Sequence, residues 1–166
     1  MIGHGADGYA KANVRLMKAA DLEQVISIAA SLPDAPHWPQ SAFADALNPD
    51  STPRRIALVI VPAAADPTQS AILGFTVASL LPPLAELESI AVAPASQRCG
   101  LGRQLFQALA RELRAADVRD LLLEVRASNR VALGFYRSLG FGQSSLRPRY
   151  YTDPIEDALM LSLTLM

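Results

Sequence analysis

The segment Gln97-Arg98-Cys99-Gly100-Leu101-Gly102-Arg103 decides how this 166-residue chain is read. It comes after a β-type run that breaks at Pro94, and it opens a helical pattern. Leu101, Leu105, Ala108, Leu109, Leu113 and Ala116 mark one stripe of a long helix. The first N–H groups of a helix have no intrahelical acceptor, and the helix dipole favours an anion beside them. Gly100 and Gly102 let a phosphate approach the backbone closely, and Arg98 and Arg103 would add charge and bidentate donors. A Walker A loop would need Gly-Lys-Ser/Thr, which is missing, and a Rossmann fingerprint would need a third glycine where Leu105 stands. The competing reading is a helix start with permissive glycines.

Working outward from this loop, the N-terminal side shows a short strand around Val14 and Leu16. Two helical stretches follow, Asp21 to Ser31 and Gln40 to Leu47, with Pro33, Pro36 and Pro39 between them. Three strand-like runs come next: Arg55 to Val61, Ala71 to Leu80 and Ala85 to Val92. A polar loop from Pro62 to Ser70 and the turn Leu81-Pro82-Pro83 join them into a meander. Gly74 inside the second run suggests close backbone approach or a bulge. On the C-terminal side, Leu121 to Val125 is continuously apolar, as expected of a strand buried on both faces. A helix carrying Val131, Leu133, Phe135 and Leu139 ends at Gly140, and two strands follow, Gly142 to Leu146 and Ala158 to Leu165. The order βααβββαβαββ predicts an α+β, or mixed α/β, domain with a partly parallel sheet over residues 13–166, preceded by a mobile tail over 1–12.

Composition bounds the function. Hydrophobic residues make up 51% of the chain and charged residues 19%, with a net charge of -1, so a buried core is expected rather than disorder. The near-neutral balance argues against direct nucleic-acid binding. A single Cys excludes a disulfide framework, and two isolated His residues offer no metal site. No apolar run is long enough to span a membrane, and Met1 to Lys11 has no signal-peptide core, so a cytoplasmic location is expected. The charge is unevenly split. Residues 1–90 hold five basic and nine acidic side chains, whereas residues 91–166 hold ten Arg and seven acids. Genomic base composition would explain the arginines, and so would a phosphate-bearing ligand held by the second half.

A second constellation is Leu123-Glu124-Val125-Arg126-Ala127-Ser128-Asn129. A carboxylate near the end of a buried strand is either a structural ion-pair partner or a general base. Ser128 could cap the next helix. Asn129 and Tyr136 lie two helical turns apart and share a face with Leu133. Tyr136 is either a packed core phenol or a general acid.

Together these segments resemble the GNAT superfamily of acetyl-CoA-dependent N-acetyltransferases. The resemblance rests on the element order, the Arg98–Arg103 loop and the Phe135-Tyr136…Leu139-Gly140-Phe141 ending, and it covers residues 12–166. Within the superfamily, Ile90-Ala91-Val92, the Leu123–Asn129 string and Arg149-Tyr150-Tyr151…Glu156-Asp157-Ala158 are similar to bacterial ribosomal-protein-alanine N-acetyltransferases. The resemblance implies a central mixed sheet of about seven strands flanked by four helices. It implies that the backbone of Ile90, Ala91 and Val92 pairs with the pantetheine arm of acetyl-CoA. Arg98, Cys99, Gly100, Leu101, Gly102 and Arg103 would wrap the pyrophosphate, and Asn129 would contact the cofactor. Glu124 would deprotonate the substrate α-amine and Tyr136 would protonate the departing thiolate, in a direct transfer within a ternary complex.

The implied partner is the N-terminal peptide of a ribosomal or other protein, taken up by a monomer or weak dimer. Alternation along the central strand places Glu86 and Glu88 on one face with Ile90 and Val92. These two acids are alternative bases or a grip for a basic substrate. Tyr150 and Tyr151 could clamp the peptide backbone or simply edge the core, and His37-Trp38 could line the peptide groove. Two other functions stay open: acetylation of a small-molecule amine such as an antibiotic, polyamine or amino acid, and a non-catalytic acetyl-CoA-binding module. Cys99 is expected to be a small loop filler.

Overall fold

The computed structural model describes residues 12–33, 38–63 and 71–165. The expectations placed on His4, Pro36, His37, most of the Pro62–Ser70 loop and residues 1–11 fall outside the described residues. Seven strands form one sheet: β1 (Ala12–Leu16), β2 (Arg54–Pro62), β3 (Gly74–Leu81), β4 (Leu84–Val92), β5 (Asp120–Arg126), β6 (Gly142–Thr152) and β7 (Ile155–Thr164). The helices are α1 (Leu22–Ala30), α2 (Gln40–Ala46), α3 (Leu101–Ala115) and α4 (Arg130–Ser138). The strand order is β1-β2-β3-β4-β5-β7-β6, and every pairing is antiparallel except β4 with β5. The mixed, partly parallel sheet with four helices is the architecture expected from the sequence.

Each face of the sheet has its own core. The stripe of α3 buries Leu101, Leu105, Leu109 and Leu113 almost completely. Leu109 and Leu113 pack with Ile56, Leu58, Ala85, Leu87, Leu121 and Leu123 on one face, and Leu101 and Leu105 pack with Ile60 and Leu73, the two groups sharing Val14 and Ile90. Each such leucine contributes about 2 kcal/mol of transfer free energy. On the other face Val25, Ile28 and Phe43 from α1 and α2 meet Ala57, Val59, Phe75, Val77 and Ala91. Trp38 stacks at a tilt on Phe43, 5.1 Å between centroids, so it closes this second core.

Three expectations are corrected. β5 is not buried on both faces: Leu121, Leu123 and Val125 are buried, while Leu122, Glu124 and Arg126 are half-buried. Its apolar run hides a one-sided strand because Leu122 lies on the face that carries the charges. The second strand of the meander starts at Gly74 rather than Ala71, and the last two strands are longer than their apolar cores suggested. Finally, β4 carries a bulge. Val77 pairs with Ser89 but Ala78 pairs with Leu87, leaving Glu88 as the extra residue. A bulge breaks the two-residue alternation. Consequently Ala85, Leu87 and Ile90 all pack in the α3 core, whereas Ala91 packs in the α1/α2 core. Glu86 therefore does not share a face with Ile90 and Val92.

Gly74 fulfils its expectation of close approach. A Cβ there would lie 2.6 Å from the Ala91 carbonyl oxygen and 3.2 Å from Leu105 Cδ1. Gly74→Ala is therefore expected to force β3 from β4 and cost about 1–3 kcal/mol, the range of an overpacked core. A thermal melt of the variant that superimposes on the parent would contradict this.

Candidate active site

The parallel pairing of β4 with β5 covers only Leu84 to Glu86 against Asp120 to Leu122. Beyond it, β4 stays with β3 through Val92 and β5 stays with β7 through Arg126, so the two strands part. The backbone of Ile90, Ala91 and Val92 on the side of this split has no ladder partner among the described pairings. Next to the split lies a cleft of about 840 Å³, lined by Ile90 to Val92, Arg98, the α3 N-terminus and α4 from Asn129 to Tyr136.

The α3 N-terminus opens onto the cleft without a side-chain cap. Gly100 stands at the N-cap in the left-handed region, φ 78°, which glycine adopts at no steric cost. Arg98 is also left-handed, φ 62°, so the loop turns back on itself before the helix begins. Gln97 ties it to β4 through Nε2 donating to the Val92 carbonyl oxygen at 3.1 Å. Gly102 serves packing: a Cβ there would come within 3.3 Å of the Phe135 ring, so its absence lets α4 lie against α3. Cys99 is half-buried, its thiol 3.4 Å from the Gln97 carbonyl oxygen. Arg103 lines the cleft, yet its Nη2 donates to Ser138 Oγ at 3.0 Å at the far end of α4. Asn129, not Ser128, caps α4, its Oδ1 accepting from the Ala132 N–H at 3.1 Å. Ser128 instead donates its backbone N–H to Glu156 at 2.6 Å.

Tyr136 lines the same cleft and packs edge-on against Phe141, 5.6 Å between centroids. Burial pushes its phenol up to about 12, with the charge of Tyr151 adding to the shift. The phenol therefore holds its proton throughout the neutral range.

The opposite face carries the acids. Glu86 pairs in register with Leu122, and Glu124 follows on the same side of β5. Burial raises the Glu86 carboxyl, and the nearby Glu124 and Glu88 raise it further. Glu88 is engaged by Arg55, with Nε at 2.7 Å and Nη2 at 3.2 Å. Glu124 meets Arg147 of β6, Oε1 to Nη1 at 3.1 Å. Hydrogen bonding to the Glu124 carboxylate pushes the Tyr150 phenol up, and burial followed by the charge of Glu124 does the same to Tyr151.

Both tyrosines ride on a bulge of β6. Arg147 pairs with Ala158 and Tyr151 with Glu156, so β6 has surplus residues between them. Arg149 takes a positive φ of 52° there, and its N–H donates to Asp157 Oδ1 at 3.0 Å. The Arg126 guanidinium lies 4.1 Å over the Tyr151 ring and reaches Glu156 at 3.4 Å. The structure thus brings Glu86, Glu124, Tyr150 and Tyr151 together. It places Ile90 to Val92, Arg98, Gly100 to Arg103, Asn129 and Tyr136 around the cleft, leaves Cys99 outside the cleft lining, and commits Glu88 to Arg55. The reading of the sequence missed Arg55, Arg130, Arg147 and the clasp of Arg126 with Glu156. Charge complementarity between the Leu123–Asn129 and Arg149–Ala158 strings was the available signal for that clasp. No group of three metal-ligating side chains occurs among the described residues.

The sequence model of the acetyltransferase (GNAT) family matches residues 22–141. The chain belongs to the GNAT acetyltransferase family. Members of this family use acetyl-CoA. The chain is 49% identical over 81 residues to the [ribosomal protein bS18]-alanine N-acetyltransferase of Escherichia coli K12, a match spanning 48% of this chain and 55% of that relative. The chain thus spans about half the length of that curated relative. A Bacillus subtilis 168 protein, assigned the same activity provisionally by its name, is 32% identical over 93% of this chain and 97% of its own. The crystal structure of the E. coli ribosomal-protein-S18-alanine N-acetyltransferase superposes with a TM-score of 0.78 at 31% identity, covering 93% of this chain and 94% of that one.

The two glycines of the GNAT loop should respond differently to a side chain. A Cβ on Gly100 meets nothing within 4 Å, so Gly100→Ala is expected to cost only the left-handed strain, about 1 kcal/mol. Gly102→Val must displace Phe135 and should cost more, about 1–3 kcal/mol, while loosening acetyl-CoA binding. Denaturant unfolding and calorimetric titration with acetyl-CoA check both; a Gly100 effect larger than the Gly102 effect would contradict the packing argument.

Proposed function

We propose that the chain is an acetyl-CoA-dependent Nα-acetyltransferase acting on a protein N-terminus, with the N-terminal alanine of a small-subunit ribosomal protein as its substrate. The observation that carries this reading is the split in the sheet. It joins a cleft edged by a helix N-terminus and arginines to a face where Glu124 and Glu86 stand under two tyrosines. The residues present fit acetyl-CoA. The uncapped first turn of α3 with Arg98 suits a pyrophosphate, Arg130 adds a further cation at the rim, and the free edge of Ile90 to Val92 suits an amide-bearing arm. Full-length similarity to the B. subtilis protein and the fold shared with the E. coli enzyme support the choice of a protein N-terminus.

Bound there, acetyl-CoA supplies an activated acetyl group; the remaining work falls to the chain. Glu124 accepts a proton from the substrate ammonium, directly or through water. An α-amine loses its proton near pH 7.7–8.0 in model peptides, roughly, so this task needs no extreme base. Tyr136 delivers a proton to the departing thiolate from the cleft side. Tyr150 and Tyr151 flank the entering backbone, and Glu86 adds negative charge for a cationic substrate. The substrate preference is tested by acetyl-CoA turnover on an Ala-initiated basic peptide against polyamines, aminoglycosides and free amino acids. Turnover confined to the small amines would overturn the proposal.

Two further outcomes are expected. Glu124→Gln and Tyr136→Phe should each lower kcat/KM by about 10²–10⁴-fold, the contribution of a positioned acid or base; undiminished turnover in either variant would remove that residue from the mechanism. Because the Tyr136 phenol titrates at about 12, its folded form keeps the proton well above the ordinary phenol range. The pH profile of kcat should therefore show no loss of the acid below about pH 10, a tyrosine's usual value. An alkaline limb near pH 9 that disappears in Tyr136→Phe would contradict this.

A further inference from the structure

Four ion pairs are formed among the described residues, and the one at Glu124 has the most exposed cation; like Arg126 on Glu156, 27% exposed, it is held through a single nitrogen. Arg15 and Arg55 each grip their carboxylate with two nitrogens and keep side-chain exposures of 30% and 22%. Arg147 touches Glu124 through one nitrogen at 3.1 Å and is 55% exposed, while Glu124 itself is 18% exposed. The carboxylate is thus fixed in the sheet and the cation is loosely held at the surface. Arg147 also stands at the last paired position before the β6 bulge, and its guanidinium rests 5.7 Å from the Tyr150 ring.

The surroundings leave Arg147 a second place to go. Glu88 is taken by Arg55, and Glu156 by Arg126 and the Ser128 N–H. Glu86 forms no ion pair among the described residues, yet the charge of Arg147 already reaches it and lowers its otherwise raised carboxyl. Tyr150 and Tyr151 complete the ring around Glu124.

Resting on the function proposed above, we propose that Arg147 is an exchangeable counter-ion of Glu124. It is a positioning residue that the substrate's α-ammonium displaces toward Glu86. It returns once acetylation leaves a neutral amide and Glu124 has passed its proton to solvent. In the transfer one ammonium proton goes to Glu124, the N–C bond forms as the C–S bond breaks, the thiolate takes a proton from Tyr136, and the second nitrogen proton replaces it, so the amide nitrogen keeps no charge with which to hold Arg147 off. The exchange favours a cationic amine over its neutral product and so helps release that product.

Calorimetry on the full chain with CoA present tests the exchange without turnover, using an Ala-initiated peptide and its N-acetylated form. Removing the competitor in Arg147→Gln should tighten the free-amine peptide by up to about fivefold, the worth of an exposed ion pair, and leave the acetylated peptide unchanged. Arg147→Lys should behave like the parent. Weaker binding of the free amine in Arg147→Gln, or an equal change for both peptides, would overturn the proposal. A second readout needs no substrate: carboxyl carbon NMR of the free protein should show Glu86 titrating at higher pH in Arg147→Gln, since a cation that favours its charged form has gone. An unchanged Glu86 midpoint would equally overturn it. Failure of the functional reading is seen separately, in parent turnover.

Discussion

Three rungs of parallel pairing, Leu84 to Glu86 against Asp120 to Leu122, hold the two halves of the sheet together, and the site exists because there are only three. Had β4 and β5 continued in register, the N–H and C=O groups of Ile90 to Val92 would be spent on a ladder. The strands part while each remains bonded to its other neighbour, β4 to β3 and β5 to β7. An opening follows, lined by β4 backbone that no longer pairs with β5 and bounded by the α3 and α4 residues that lie against the split. Gly74 belongs to the same constraint, since it keeps β3 tight against the β4 segment that must stay in place without β5.

The split also divides labour between the faces. On one side the α3 N-terminus, Arg98, Arg130 and Tyr136 edge the cleft. On the other, Glu86, Glu88, Glu124 and Glu156 crowd together, and three of the four are held by arginines from other strands. Each pairing is partly exposed, so its contribution to stability is small. Its weight is in placement: Arg126 fixes Glu156 and covers Tyr151, and Asp157 holds the bulge that presents both tyrosines.

Much of this was legible in the chain. Periodicity separated the strands of the meander from the α3 stripe because burial on one face imposes a repeat of two or of 3.6. The glycine loop before α3 and the Glu124–Asn129 string pointed to the proposed cofactor cleft and the proposed base, since both are local arrangements of a few consecutive residues. Other features were hidden for identifiable reasons. The Glu88 bulge defeats strict alternation, so a count of two could not tell that Glu86 and Ile90 face opposite ways. Leu122 made β5 look buried on both sides. Asn129 rather than Ser128 caps α4, a choice between adjacent residues that both can cap.

What the sequence determined by itself was the order and type of elements, the helix-opening glycine loop and the residue types available for acid and base work, because these depend on neighbours along the chain. The tertiary structure alone decided which charges meet. Arg147 lies 23 residues from Glu124 and Arg55 lies 33 from Glu88, and each pair is formed by strand order and register rather than by spacing. A Coulombic contact acts over a few ångströms of space whatever the separation in sequence. For that reason the arginine at the proposed base became visible only when β6 was laid beside β7, and β7 beside β5.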